Sequence, residues 1–162
     1  MLKIFTTLII TLAISASAVW AGDVEDAVAA LIKKDYVTAL KKYKSAAVKN
    51  DAYAQTMVGS FYNSNSYGVV QDYAEAVRWY KLAAAQGDAS AQNNLGFMYA
   101  TGQGVLQNNV QAHMWFNIAA LKGDKDAVKN RDIAASKMTT EQIAQAQRLA
   151  KECQARNYKN CD

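Results

Sequence analysis

Two stretches of the chain repeat one another. AYAQTMVGSFYNSNSYGVVQDYAEAVRWYKLAAAQGD occupies residues 52–88, and ASAQNNLGFMYATGQGVLQNNVQAHMWFNIAALKGD occupies residues 89–124. The first copy has 37 residues and the second 36; the odd residue falls in the polar stretch Asn63–Tyr67, where a loop absorbs it. A period of this length, built from two helical patterns, predicts helical hairpins stacked side by side. One such hairpin cannot bury its own apolar face, so its neighbours must cover it. This expectation also moves the function toward binding and away from covalent chemistry.

The alignment of the copies shows what both need. Ala54, Gly59 and Tyr62 match Ala91, Gly96 and Tyr99. After the slip, Gly68, Ala76, Trp79 and Tyr80 match Gly104, Ala112, Trp115 and Phe116, and Ala83, Ala84, Gly87 and Asp88 match Ala119, Ala120, Gly123 and Asp124. Ala54, Val58, Phe61 and Tyr62 fall on one helical face, as do Ala76, Trp79, Tyr80, Ala83 and Ala84 in the second half of the repeat. The mid-helix Gly59 and Gly96 sacrifice about 1 kcal/mol of helix propensity each, which points to a partner helix that comes close. Gly87 and Gly123 stand where helices end in a left-handed residue. Asp88 and Asp124 stand where the next helices are capped. Trp79 and Trp115 fill one aromatic slot, which predicts core packing.

The same pattern continues outward in weaker form. Asp35–Asp51 matches the second half of a repeat, with Asp23–Lys34 as its shortened first helix. Asp126–Ala135 reads as a further first helix, and Thr140–Arg156 as its partner, with Thr140 as cap. The chain has no proline and no alternating apolar and polar runs. The expected fold class is therefore all-α, an α/α solenoid of about four helical hairpins: a capping hairpin over 22–51, repeats over 52–88 and 89–124, and a second capping hairpin over 125–162.

Residues 1–21, MLKIFTTLIITLAISASAVWA, read as a signal peptide: a lysine, an apolar stretch and then small residues. The apolar run is shorter than the ~20 residues a spanning helix needs. Cleavage after Ala21 is preferred to cleavage after Ala18, because it leaves Asp23, Glu25 and Asp26 to open the first helix. The expected location is periplasmic or extracellular, with no membrane attachment once the signal is removed. An exported chain whose two thiols are Cys153 and Cys161 is expected to join them as a disulfide. On the chain-entropy model a loop that short contributes roughly 2–3 kcal/mol. Two cysteines and the distant His113 do not make a zinc site.

The motif A-x-A-Q-x-x-[LV]-G-x-[MF]-Y…G-V-x-Q-[DN]…A-x-x-[WM]-[WY]-x-x-A-A-x-x-G-D closely resembles the Sel-1-like repeat family, relatives of the tetratricopeptide repeats with a longer unit. The resemblance covers about Asp35–Asp124, and the tail resembles that of exported bacterial members. It implies a curved scaffold for protein interaction without naming a partner. Some cysteine-rich relatives, with a Cys pair in every repeat, are linked to β-lactam binding or hydrolysis. This chain lacks those pairs, and the activity is not carried over.

Chemistry finds little purchase. No Ser is followed three residues later by Lys, and no G-x-S-x-G occurs. Gly102-Gln103-Gly104 follows a helical pattern rather than a strand, so it is not a phosphate cradle. His113 reads as a packed helix residue, and Glu141 and Glu152 stand alone. No catalytic residue, metal or cofactor is expected. The net charge of +4 is too small to argue for nucleic acid. Lys33, Lys34, Lys41, Lys42, Lys44 and Lys49 cluster in the first hairpin, interleaved with acids, as on a solvated face.

First helices of such solenoids line the concave surface. The residues off their apolar stripe are Tyr53, Gln55, Thr56 and Ser60 in one copy and Ser90, Gln92, Asn93 and Phe97 in the other. These are the candidate ligand-groove residues, uncharged amides and hydroxyls beside aromatics. The expected function is a monomeric scaffold that binds a protein or peptide in this groove. The alternatives are a cell-wall hydrolase or β-lactam-binding enzyme, and a structural spacer in an envelope complex.

Overall fold

The computed structural model describes residues 22–161; the expected signal peptide lies outside them. They form eight helices and no strand. Helix α1 spans residues 22–32. It is followed by α2 (Tyr36–Ala47), α3 (Ala52–Asn63), α4 (Tyr73–Ala85), α5 (Ala89–Thr101), α6 (Asn109–Leu121), α7 (Lys125–Ala135) and α8 (Thr140–Ala155). Each helix from α2 to α6 packs on the next in sequence, and α6 also packs on α8. The chain is an α/α solenoid of hairpins, as the repeat requires.

Aspartates mark most helix starts. Asp35, Asp51, Asp72, Asp88 and Asp124 each accept a hydrogen bond from a backbone amide in the first turn. Asn108 does the same for α6. The cap of α8 is Thr139, one residue before the expected Thr140. Thr139 has Gln142 at the third helical position, and the two side chains satisfy each other's backbone amides. Of two adjacent threonines, the one that completes this reciprocal pair becomes the cap.

The apolar stripes meet in two connected clusters. One is built on Tyr43, Val58, Phe61 and Trp79, the other on Tyr80, Leu95, Met98, Met114, Trp115, Phe116 and Ile118; Tyr62 packs against both. Small residues let the helices approach. A Cβ on Gly59 would stand 2.6 Å from Cε1 of Tyr80, and one on Gly96 would stand 2.7 Å from Cδ1 and Cε1 of Phe116. The aromatic ring of each second helix thus lies on the glycine of its own first helix.

The two ends are secured differently. Asp23, in the first turn of α1, accepts hydrogen bonds from Ser45 Oγ at 2.7 Å and Lys49 Nζ at 2.9 Å, and Lys42 Nζ stands 3.4 Å away. At the other end Cys153 and Cys161 form a disulfide. It closes a turn in which Asn157, Tyr158 and Asn160 all take positive φ. The ammonium of Lys122 sits 3.9 Å from the centre of the Tyr158 ring.

Candidate functional site

Three of the eight residues expected to line an open strip are interior residues. Gln55 is 2% exposed, Thr56 5% and Gln92 0%. Each has structural partners. Gln55 Nε2 donates to the carbonyl of Ala47 at 3.1 Å, and Gln92 Nε2 donates to the carbonyl of Ala84 at 3.1 Å. Both carbonyls belong to the last turn of the preceding second helix, where each otherwise accepts from an amide of the turn beyond the helix, Asn50 or Gly87. The glutamine of each first helix therefore ties one hairpin to the next. Gln55 Oε1 in turn accepts from Gln86 Nε2 at 2.7 Å. The Thr56 hydroxyl lies 3.0 Å from the Ala52 carbonyl and 3.0 Å from the carboxylate of Asp88, the cap of α5. These groups hold repeats in register and are not available to a ligand.

The other five divide further. Tyr53 is exposed and packs edge-on against Tyr43. Ser60 is half-buried and donates to the carbonyl of Thr56. Ser90 is exposed at the start of α5. Asn93 and Phe97 belong to a different setting: both face α7.

Helices α5 and α7 are neighbouring first helices that touch only locally. Asn93 Oδ1 accepts from Asn130 Nδ2 at 3.0 Å. One turn on, Phe97 from α5 and Ile133 from α7 remain 45% and 58% exposed. Between the helices lies an open cavity of about 220 Å³, with Phe116 from α6 among its walls and Thr101 and Lys137 at one end. The wall is mostly hydrocarbon and ring. Lys137 makes no ion pair with any described residue.

Asn130, Ile133 and Lys137 were not among the residues singled out in the sequence. For Ile133 and Lys137 the signal was present in the register, from which Asn130 stands one residue off. Asp88 and Ala91 of the second repeat correspond to Asp124 and Ala127, which sets Phe97 against Ile133 and Thr101 against Lys137. In the first repeat the same position is Ser60, so the aromatic and aliphatic walls belong to this pair of helices only.

His113 is 3% exposed and lies between Asn109 and Phe116 on one strip of α6. Its Nδ1 has no hydrogen-bond partner among the described residues. Burial, with the Arg131 charge assisting against the opposing pull of Asp132, holds its pKa below the ordinary value for imidazole. No nucleophile or carboxylate is paired with it. Among the described residues no three His, Cys, Asp or Glu side chains are grouped as a metal site, and no helix is long and apolar enough to cross a membrane.

Three of the six lysines of the first hairpin are engaged. Lys42 pairs with Asp26 at 2.7 Å, Lys49 with Asp23, and Lys44 donates to the Tyr62 hydroxyl. These three belong to a structural network, while Lys33, Lys34 and Lys41 are exposed.

Comparison with known proteins agrees with this architecture. The Sel1 repeat model matches residues 52–88 and 89–124. Among solved structures, the chain is similar to a protective antigen of uropathogenic Escherichia coli strains that displays an SLR fold, with 26% identity and a TM-score of 0.78. That match covers 86% of this chain and 31% of the antigen. A Sel1 repeat protein from Oxalobacter formigenes is similar at 30% identity and a TM-score of 0.62, over 67% of this chain and 44% of the other. The chain therefore spans less than half the length of either. No curated protein matches the sequence. Proteins built from these repeats are generally non-catalytic scaffolds for protein–protein interaction.

Proposed function

Because the chain is a Sel1-repeat protein, we propose that it is an exported scaffold that captures a partner protein in the groove between α5 and α7. The observation that carries the reading is the exposed pair Phe97 and Ile133 over an open cavity. Single exposed apolar residues are common on protein surfaces. Two that face each other across an unfilled hydrocarbon-walled space leave a cost that a partner's side chain would remove. A cavity of about 220 Å³ suits one large apolar side chain. The rigid helices hold its walls in place before binding, so little ordering is needed. Export is supported by the signal-like residues 1–21 and by the Cys153–Cys161 disulfide, a bond that persists in oxidising compartments.

The substitution that tests this is Phe97→Ser, because the first repeat carries Ser60 at the same position and keeps its fold. With Ile133→Ser added, recovery of a crosslinked partner from envelope extract is expected to fall at least tenfold, with the melting temperature within a few degrees of wild type. Each buried apolar side chain contributes roughly 2 kcal/mol, which is the basis of that figure. Recovery equal to wild type would place the binding surface elsewhere.

A further inference from the structure

The groove changes chemistry along its length in a regular order. Its rungs pair residues of α5 with residues of α7 and of the turn that follows it. The first is the hydrogen-bonded pair Asn93 and Asn130, the second is Phe97 with Ile133, and the third is Thr101 with Lys137. The sequence is amide, hydrocarbon, cation. In the first rung the bond uses one N–H of Asn130 and one lone pair of Asn93, so each amide keeps capacity for a peptide backbone group. In the third rung the Thr101 hydroxyl donates to the Phe97 carbonyl at 2.9 Å. Lys137 has no carboxylate partner among the described residues. The charge at that end is therefore the part of the groove that asks for a counterpart.

Spacing sets where that counterpart must be. On α5, Phe97 and Thr101 stand four residues apart and so ~6 Å along the helix; Lys137, in the turn just past the end of α7, lines the same cavity with a flexible side chain. In an extended peptide, side chains on one face recur every second residue, at ~6.6 Å. The two periods agree. A chain laid along the groove would put one side chain into the cavity and the next on that face beside Lys137.

Resting on the reading that this groove binds a partner, we infer that the partner is recognised through an extended segment in which a large apolar residue and an acidic residue stand two positions apart. The apolar side chain enters between Phe97 and Ile133. The carboxylate meets the Lys137 ammonium at the rim, and the backbone beyond the apolar residue meets Asn93 and Asn130.

Blocked pentapeptides titrated into the isotopically labelled protein test this by amide chemical shifts. The probes are acetyl-Gly-Phe-Ser-Asp-Gly-amide and its reverse order, acetyl-Gly-Asp-Ser-Phe-Gly-amide. Their controls carry Asn or Lys in place of Asp, or place Phe and Asp side by side. The better of the two orders is expected to shift Asn93, Phe97, Ile133 and Lys137 and to bind at least fivefold tighter than its Asn control. The Lys and side-by-side peptides should bind more weakly still, and Lys137→Glu should invert the preference between Asp and Lys. Equal binding of the Asp and Asn peptides in the groove would overturn the acidic requirement while leaving the groove as a binding site. Equal binding of the side-by-side peptide would overturn the two-residue spacing. No shift at the groove with any peptide that contains Phe would overturn the binding reading itself.

Discussion

At the scale of the residue, the same kind of side chain does opposite work one position apart. Gln92 and Asn93 are both uncharged amides on α5. Gln92 points into the seam between hairpins and bonds the Ala84 carbonyl, whereas Asn93 bonds across to Asn130 at the groove. Removing them should therefore have different consequences. Gln92→Ala removes a buried hydrogen bond to the Ala84 carbonyl, which keeps the Gly87 amide as donor, and leaves a hole beside it. The net bond contributes about 1 kcal/mol and the cavity adds to it, so urea unfolding should show a loss above about 1 kcal/mol with an unchanged slope. Asn93→Ala removes a partly exposed bond and should stay within about 1 kcal/mol of wild type by the same measurement. A neutral Gln92→Ala would mean that the seam does not depend on the amide. The distinction was not readable from residue type. A polar residue next to an apolar stripe looks exposed until the preceding hairpin supplies the carbonyl that it bonds.

At the scale of the element, close helix approach and the shape of the groove share a residue. Phe116 lies against Gly96 on its inner side and lines the cavity on the other. Gly96→Ala improves helix propensity by about 1 kcal/mol. It also drives a Cβ into the ring of a residue that is 2% exposed and has little room to retreat. Overpacking of this kind typically costs about 1–3 kcal/mol, so the expected net effect is destabilisation. A raised melting temperature would show that the ring can move. The helices themselves could be read well in advance. Caps at Asp88 and Asp124, stripes at helical spacing and glycines after the second helices all agreed on the same boundaries. What was missed, although the register at Asp124 and Ala127 carried it, was that α7, whose sequence keeps only fragments of the repeat, supplies half of the groove. Degraded repeats lose the residues that identify them while keeping the position in the stack that gives them their role.

At the scale of the whole molecule, contacts run mainly between sequence neighbours, so cooperativity passes hairpin by hairpin. The Asp23 cluster holds the first hairpin through ions. Hydrogen bonds from Ser45 and then Lys49 bring the Asp23 pKa down to about 2, against a burial effect that would raise it. A carboxyl depressed in this way contributes stability that is present above its ordinary value of 3.8 and fades as pH falls toward about 2. The gap in stability between wild type and Asp23→Asn should close across that window. The last hairpin is held by a covalent bond that such acid does not touch.

The different fastenings of its two ends give the molecule a direction in how it comes apart. Asp23→Asn should speed amide hydrogen exchange in α1 and α2 and leave α8 at its wild-type rate. Reductant should do the reverse, loosening α8 and the turn after it while α1 stays protected. Uniform acceleration along the chain in either case would mean that the stack opens as one unit. If the ends do fray separately, reduction acts beside the groove, since α7, half of its wall, belongs to the hairpin that the disulfide closes, while acid acts two hairpins away. The protein would then lose its grip on a partner in a reducing compartment before it lost its fold, and in acid below pH 3.8 it would begin to fray while still holding on.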